Sequence, residues 1–263
     1  MTSAAAAELK QAARTTSAPL VSLRGIGVNY GAVTAVADVD LDLVAGEIVA
    51  LCGDNGAGKS SLVKVISGAA QPSRGALLID GEPARFSGPQ DALRRGVATI
   101  YQELALAPRL AIYQNVFLGA ELTRMIGPLR LLDKARMMAE AKAYLARLAV
   151  TIDDMRRPVE KLSGGQRQAI AIARALRWNA NLVIMDEPTA ALGVRETAQV
   201  HDLIRRLAQD GRAVLLISHS MPDVAALARR VVIMKHGRKV IDRAVAGLSA
   251  DDIGHMIASG KDI

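Results

Sequence analysis

The chain has 263 residues, of which 51% are hydrophobic, and it carries a formal net charge of +7. This length allows a full buried core, in one large domain or in one domain with a subdomain. No apolar run approaches the roughly 18 residues that a membrane-spanning helix needs, so none is predicted. The basic residues occur in scattered pairs and not in long blocks, which favours solvated helix faces over a nucleic-acid-binding patch.

The start of the chain and its only cysteine bear on where the protein works. Residues 1–18 are rich in Ala, Ser and Thr and lack a basic start followed by an apolar stretch, so we expect a mobile tail and no signal peptide. Cys52 has no partner for an intrachain disulfide, which suits the cytosol. Because Cys52 ends an apolar run, we expect it to be a small buried hydrophobic residue.

The first third of the chain predicts short strands arranged around a glycine-rich loop. Two strands with partial apolar alternation come first, and a short apolar strand then runs into the loop and a helix. The pair Asp80-Gly81 between apolar residues is typical of a hairpin turn. In chain order we predict strands over 21–29, 36–43 and 47–52, a helix over 59–68, and strands over 75–79 and 97–101.

The middle of the chain, from about Glu103 to Asn179, predicts mainly helices, because apolar residues recur there at spacings of three and four. Strand and helix patterns alternate again after this stretch. Such alternation predicts a sheet covered by helices. We expect helices over 134–149, 163–177, 194–209 and 222–230, and strands over 182–185, 213–218 and 231–235, the last turning at His236-Gly237.

One loop has the pattern G-x-x-x-x-G-K-[ST], which predicts a phosphate-binding loop. Glycines let the backbone point its N–H groups at phosphates, and the following helix adds the positive end of its dipole. We expect Lys59 to reach the β- and γ-phosphates, Ser60 to ligate Mg²⁺ and Ser61 to lie near the α-phosphate. The alternative is a plain glycine-rich turn, but the loop lies between an apolar strand and a helix, as phosphate loops require. The candidate phosphate ligands are Gly53, Asp54, Asn55, Gly56, Ala57, Gly58, Lys59, Ser60 and Ser61.

A second apolar strand ends in two carboxylates, Asp186 and Glu187. An Asp in this position orients Mg²⁺ in P-loop ATPases. A carboxylate one residue later, at the mouth of the site, can polarise the attacking water as a general base. Alone, such a strand end is a weak signal, but together with the phosphate loop it indicates an ATPase.

The segment Leu162-Ser163-Gly164-Gly165-Gln166 is identical to the signature motif of ATP-binding cassette (ABC) proteins. The phosphate loop, Tyr101-Gln102, the signature, the acidic pair and Ser218-His219 follow one another in the order of that family. From about Val21 to Val240 the chain therefore resembles the ATP-binding subunit of an ABC transporter. This resemblance implies an α/β fold: a P-loop NTPase core with a mixed sheet, an N-terminal antiparallel β subdomain and a helical signature subdomain. The implied division is a tail over 1–18, a core with the β subdomain over 19–102 and 180–245, a helical subdomain over 103–179, and a C-terminal helical tail over 246–263.

The resemblance also assigns roles to single residues. Tyr30 looks like the aromatic residue that stacks on adenine, with Val36 in the adjacent part of the nucleotide site. Gln102 looks like the glutamine that touches Mg²⁺ or water and couples to the membrane subunit. His219 looks like the histidine that contacts the γ-phosphate. The other three histidines lack such a context, and we expect them at the surface.

The signature residues Leu162, Ser163, Gly164, Gly165 and Gln166 predict a Ser-capped helix start with free N–H groups, which is an anion site by its own chemistry. The resemblance implies that this helix start faces the γ-phosphate held by a second copy. Two ATP molecules are then sandwiched in a homodimer. One departure stands out: the family usually has Ser-Ala-Leu-Asp after the acidic pair, whereas this chain has Ala190-Ala191-Leu192-Gly193.

Within the family, several stretches are similar to sugar importers of the ribose/fructose type, and the single cassette with a complete signature resembles the fructose-type subunits. The resemblance implies monosaccharide import at the cytoplasmic face of the membrane. It also implies ATP and Mg²⁺ as ligands, integral membrane permease subunits as partners, and an indirect link to a solute-binding protein. The similar stretches cover residues 53–60, 101–106, 115–119, 186–193 and 218–222.

Three alternatives remain open from the sequence. The first is transport of another solute, such as an amino acid, or export. The second is a soluble ABC ATPase that acts on nucleic acid or ribosomes, although such proteins typically carry two cassettes or long coiled-coil insertions and this chain has neither. The third is an inactive regulatory module, which the filled catalytic positions disfavour. The solute itself is not encoded here, because its specificity lies in the membrane and solute-binding partners.

Overall fold

The structure is a computed structural model that describes residues 18–262. The expected tail over 1–18 therefore lies outside the described residues, except for Ala18. The strands are β1 Val21–Tyr30, β2 Val33–Leu43, β3 Ile48–Cys52, β4 Arg74–Ile79, β5 Glu82–Pro83, β6 Val97–Ile100, β7 Thr123–Ile126, β8 Leu129–Leu132, β9 Leu182–Asp186, β10 Ala213–Ile217, β11 Arg230–Lys235 and β12 Arg238–Ala244. The helices are α1 Lys59–Ile66, α2 Pro89–Arg94, α3 Ile112–Phe117, α4 Lys134–Arg147, α5 Gly164–Arg177, α6 Val194–Gln209, α7 Met221–Leu227 and α8 Ala250–Ser259.

The central sheet has six strands in the order β12-β11-β3-β10-β9-β6. All neighbours are parallel except β12, which runs antiparallel to β11. Strands β3 and β10 are buried along their whole length, as expected when helices cover both faces of a parallel sheet. Because β3, β9 and β10 are parallel neighbours, the loops that follow them leave the same edge of the sheet. This edge gathers the residues that follow Cys52, Asp186 and Ile217.

A second sheet has four antiparallel strands in the order β2-β1-β4-β5. It packs on the central sheet through one apolar cluster, in which Leu23 and Ile26 of β1 share a core with Leu51 of β3 and Leu62 of α1. The mixed central sheet, the antiparallel N-terminal sheet and the helical region confirm the predicted fold class.

Helices α3, α4 and α5 share a second apolar cluster that includes Phe117, Met137, Leu145 and Ile170. The fully buried Asn115 of α3 holds the incoming loop, because its amide accepts from the Ala107 N–H at 2.7 Å and donates to the Ala107 carbonyl at 3.1 Å. Helix α5 holds the same loop, since the Arg174 guanidinium donates to the carbonyls of Leu104 and Ala105 at 2.9 and 2.8 Å. The segment after Gln102 is thus anchored by two helices.

The elements predicted around the glycine loop match the observed ones within a few residues. Two differences elsewhere in the chain have clear causes. The hairpin β7–β8 lies in the stretch predicted to be helical, and all its residues are exposed, so no apolar alternation marked it. The helix predicted over 222–230 ends at Leu227, because Arg230 starts β11 and forms ion pairs with Glu47 at 2.9 Å and with Asp242 at 2.8 Å.

Within residues 18–262, no helix has the length and apolarity needed to cross a bilayer.

Candidate active site

The predicted phosphate loop lies between β3 and α1, and its backbone conformation requires glycine at both ends. Gly53 and Gly58 have φ angles of 142° and 100°, which side chains with a Cβ rarely adopt. A Cβ at Gly53 would lie 2.2 Å from the carbonyl oxygen of Met234, and one at Gly58 would lie 2.4 Å from that of Ala35. The loop is therefore packed against neighbouring backbone in a shape that only glycine permits at these positions.

Lys59 is 8% exposed, and its ammonium folds over the loop that precedes it. The Nζ atom donates to the carbonyl of Gly53 at 2.6 Å and to that of Asp54 at 3.0 Å. Burial lowers the pKa of Lys59, while nearby acidic groups, including Glu187 and Asp186, oppose that shift. A partly desolvated ammonium at the start of a helix is suited to bind phosphate oxygens.

Asp186 ends β9 and lies opposite Ile217 in the sheet register, so its carboxylate sits at the edge from which the phosphate loop also emerges. Burial raises the pKa of Asp186, and the neighbouring side chains of Lys59 and His219 act against this rise. Ser60 is exposed at the first turn of α1. A hydroxyl, a carboxylate and the Gln102 amide are oxygen donors, which is the ligand chemistry that Mg²⁺ prefers.

Glu187 has a φ of 49°, a left-handed conformation that costs a non-glycine residue about 1–2 kcal/mol. Its N–H donates to the Ile217 carbonyl at 2.9 Å, which fixes the turn against the neighbouring strand. The carboxylate atom Oε1 is buried and has no hydrogen-bond partner among residues 18–262. His219 lies next to it, with Nε2 at 3.6 Å from that oxygen. A strained residue with an unpaired buried carboxylate oxygen is typical of a functional site.

The remaining predicted nucleotide contacts differ in accessibility. Tyr30 is 49% exposed at the end of β1, so its ring is free to stack. Val36 is fully buried in the apolar cluster that also contains Ala57 of the phosphate loop, so its side chain offers no free surface to a nucleotide. Gln102 is exposed and lines a cavity of about 660 Å³ that Glu187 and Gly164 also line. The structure thus brings Gln102, Glu187 of the acidic pair and Gly164 of the signature to one cavity.

The signature helix α5 begins with the predicted cap. The Ser163 hydroxyl accepts from the Gln166 N–H at 3.3 Å, and the Gln166 side chain accepts from the Ser163 N–H at 3.2 Å. The expectation of several free N–H groups needs correction, because the Gly164 N–H donates to the carboxylate of Glu196 at 2.7 Å. Leu162 is buried and packs in the helical core, whereas Ser163 is exposed.

His201 is largely buried, which contradicts the prediction that it lies at the surface. The His201 side chain is 13% exposed, and its Nε2 lies 3.0 Å from Oδ1 of Asp223. The other oxygen of Asp223 accepts from the Thr189 hydroxyl at 2.6 Å. This network links the segment after Glu187 to the helix after His219, and its only sequence signal was the position of His201 on the apolar face of α6.

Cys52 behaves as predicted, as a small buried residue at the end of β3. It is 1% exposed, and burial raises the pKa of its thiol to about 12. The thiol therefore stays protonated, and its role is to pack beneath the loop.

The chain is similar in sequence to a known family and to several transport proteins. The family described as "ABC transporter" matches residues 36–190. The fructose import ATP-binding protein of Rhizobium meliloti is 46% identical, with 84% of this chain and 87% of that protein aligned. The xylose/arabinose import ATP-binding protein of Sulfolobus acidocaldarius is 42% identical, covering 91% of this chain and 94% of that protein. A ribose import ATP-binding protein of Streptomyces coelicolor is 41% identical over 95% of this chain, which spans only 48% of that longer protein.

Solved structures support the same fold. An ATP-binding cassette of an ABC transporter in its ADP conformation superposes with a TM-score of 0.77 at 20% identity, covering 93% of this chain and all of that chain (100%). A cassette in a dimeric post-hydrolysis state, bound to ADP and phosphate, superposes with a TM-score of 0.69 at 25% identity, covering 87% of this chain and 100% of that one. Because the family model matches more than half of the chain and the relatives align along most of its length, the chain belongs to the ABC transporter family and is an ATP-binding, ATP-hydrolysing cassette.

Proposed function

We propose that this chain is the ATP-hydrolysing subunit of a monosaccharide importer and that it works at the cytoplasmic face of the membrane. The observation that carries the ATPase part is the convergence of Lys59, Glu187 and His219 at the ends of three parallel neighbouring strands. The sugar part rests on the relatives, since the fructose and xylose/arabinose import proteins align along most of both chains.

In the proposed reaction, Lys59 binds the β- and γ-phosphates, and Glu187 accepts a proton from the attacking water through its unpaired Oε1. His219 holds the γ-phosphate on the other side of that water. Tyr30 stacks on the adenine, and the N–H groups of residues 53–61 surround the phosphates. Electrostatic stabilisation of this kind is the main contribution in phosphoryl transfer.

The oxygen donors Ser60, Gln102 and Asp186 fit a Mg²⁺ ion in this site. When bound, such an ion neutralises charge on the phosphate oxygens. The half-buried carboxylate of Asp186 has a raised pKa because burial disfavours its charge, so a cation beside it would be stabilising. We therefore expect ATP binding in the presence of EDTA to be weaker than in the presence of Mg²⁺.

Ser163 is exposed at the start of the signature helix, so it is accessible to a nucleotide held by another copy of the chain. We propose a homodimer in which the Ser163 to Gln166 segment of each copy closes over the nucleotide of the other. A related cassette that was solved as a dimer with ADP and phosphate supports this arrangement.

A cleft of about 370 Å³ beside Tyr101 is a suitable docking place for the permease subunit. Tyr101 and Leu118 in its wall are 46% and 43% exposed, and the only tryptophan of the chain, Trp178, also lines it. Exposed apolar side chains at the rim of this cleft would bind the permease. Because Tyr101 directly precedes Gln102, a permease bound there would lie close to the active site. A solute-binding protein outside the membrane would then act on the permease and not on this chain.

Reconstitution with its permease and solute-binding protein tests the proposal. We expect ATPase activity to rise when fructose, ribose, xylose or arabinose is added, and labelled sugar to enter the vesicles only with ATP. An amino acid as the sole transported solute would reject the sugar assignment. ATPase activity stimulated by DNA or RNA, without copurifying membrane subunits, would reject the transport assignment.

A further inference from the structure

The carboxylate of Glu196 occupies the start of the signature helix α5 of its own chain. Its Oε1 accepts from the Gly164 N–H at 2.7 Å, while Oε2 lies 3.5 Å from the N atom of Gly193. Glu196 belongs to the first turn of α6, 32 residues after Gly164. The contact therefore joins the helix that carries the signature to the segment that follows the catalytic acidic pair.

The two signature glycines make this contact possible. A Cβ at Gly164 would lie 2.4 Å from the side chain of Leu192 and 3.2 Å from both carboxylate oxygens of Glu196. A Cβ at Gly165 would lie 2.6 Å from the side-chain oxygen of Gln199. The first turn of α5 is thus packed directly on α6, and the carboxylate position is built into the fold.

The contact reduces the number of N–H groups at the start of the signature helix that are available to a phosphate. The N–H groups of Ser163 and Gln166 are bonded within the cap, and that of Gly164 is bonded to Glu196. Among residues 18–262, the Gly165 N–H is the one in this turn that lacks a partner. A helix start carries a partial positive charge that stabilises one nearby anion. Glu196 already supplies such an anion.

We propose that Glu196 is a positioning residue that competes with the γ-phosphate of ATP on the partner copy, and that its charge sets the ATP concentration at which the dimer closes. This rests on the proposed nucleotide sandwich. The partner's phosphate approaches a helix start that a carboxylate partly neutralises, so closure must work against like-charge repulsion or displace Glu196 from Gly164. The resemblance places an Asp at position 193; this chain has glycine there and carries its carboxylate three residues later, at Glu196.

The test measures ATP-driven dimerisation in Glu187→Gln protein, which is expected to hold ATP without turnover, by sedimentation velocity over a range of ATP concentrations. Glu196→Gln keeps an oxygen acceptor for the Gly164 N–H and removes the charge. We expect the half-saturating ATP concentration for dimerisation to fall by about 10-fold. Binding of fluorescent ADP to the monomer should stay unchanged, which a general structural effect would not preserve. Glu160→Gln is the matched control, because Glu160 is an exposed carboxylate that lines a cavity together with Gly164 but forms no hydrogen bond with it.

Glu196→Ala is the second variant, since it removes both the charge and the acceptor. We expect it to lower the ATP requirement as well, together with a lower Tm, because the Gly164 N–H loses its partner. Unchanged or weaker ATP-driven dimerisation of Glu196→Gln, with the parent protein dimerising normally, would overturn the role of Glu196 alone. A parent protein that binds ATP but never dimerises would instead overturn the nucleotide sandwich and, with it, this inference.

Discussion

The Nε2 atom of His219 lies 3.6 Å from Oε1 of Glu187, which is beyond a good hydrogen bond. The two residues follow neighbouring parallel strands, β10 and β9, and the Glu187 N–H is tied to Ile217 of β10 at 2.9 Å. Because neither atom is engaged in a good hydrogen bond with the other, both side chains can bind the same third group lying beside them. A water molecule beside the γ-phosphate is the group that the proposed reaction requires.

Glu187→Gln tests the general base. The substitution preserves size and removes the proton acceptor, so we expect ATP turnover to fall at least about 100-fold while ATP binding persists. Single-turnover hydrolysis and fluorescent nucleotide binding measure the two quantities separately. Glu103→Gln, an exposed carboxylate in the same cavity, is the control. Turnover at the wild-type rate in Glu187→Gln would contradict the assignment.

Asp186→Asn tests whether the partly buried carboxylate at the end of β9 lowers the stability of the nucleotide-free protein. Burial raises the pKa of Asp186, so the folded state binds the proton more tightly than the unfolded chain does. The ionised carboxylate therefore lowers stability, increasingly as the pH rises from the unfolded pKa through the folded one. We expect the variant to raise the Tm of the nucleotide-free protein at neutral pH by roughly 1–3 °C, and this gain should shrink in acid.

The same variant should lose Mg²⁺-dependent activity, because Asp186 is a proposed ligand of the ion. Thermal scans from pH 7 towards pH 4, with and without Mg²⁺-ATP, measure both effects. A Tm that falls in Asp186→Asn at neutral pH without nucleotide would show that the carboxylate stabilises the fold, contrary to this prediction.

His201→Ala tests the buried network behind the active site. The change leaves Oδ1 of Asp223 without its partner at 3.0 Å, so we expect the free energy of unfolding to drop by about 1–3 kcal/mol. ATPase activity should also fall, because the network joins the segments that follow Glu187 and His219. Urea denaturation followed by Trp178 fluorescence measures the first effect. His255→Ala, at an exposed position of α8, should leave stability nearly unchanged, and equal losses in both variants would contradict a specific role of His201.

Cys52 should resist alkylation in the folded protein. With a thiol pKa of about 12, only roughly one molecule in 10,000 carries a thiolate at pH 8, and the side chain is 1% exposed. We expect iodoacetamide to react at least about 100-fold faster in denaturing urea than in buffer. Mass spectrometry of timed samples follows the reaction. Rapid modification of the native protein would show that the region beneath the phosphate loop opens readily.

The sequence determined those features whose residues lie close together along the chain. Lys59 follows the loop that it bonds to, and Ser163 and Gln166 cap one helix turn, so their geometry is set by local backbone chemistry. Helix α6 also starts and ends where its apolar period predicts, at Val194 and Gln209. The hairpin β7–β8 gave no such signal, because neither of its faces is buried.

Tertiary structure decided the contacts between residues that lie far apart in sequence. Glu196 reaches Gly164 across 32 residues, and His201 reaches Asp223 across 22, and no local pattern identifies the partner in either pair. Val36 carries an apolar side chain that suits a nucleotide site or a core, and only the tertiary structure shows that this side chain is fully buried. The physical reason is that a hydrogen bond or an apolar contact depends on distance in space. Local sequence sets the shape of a loop or a helix cap, whereas the packing of sheet and helices sets which of them meet.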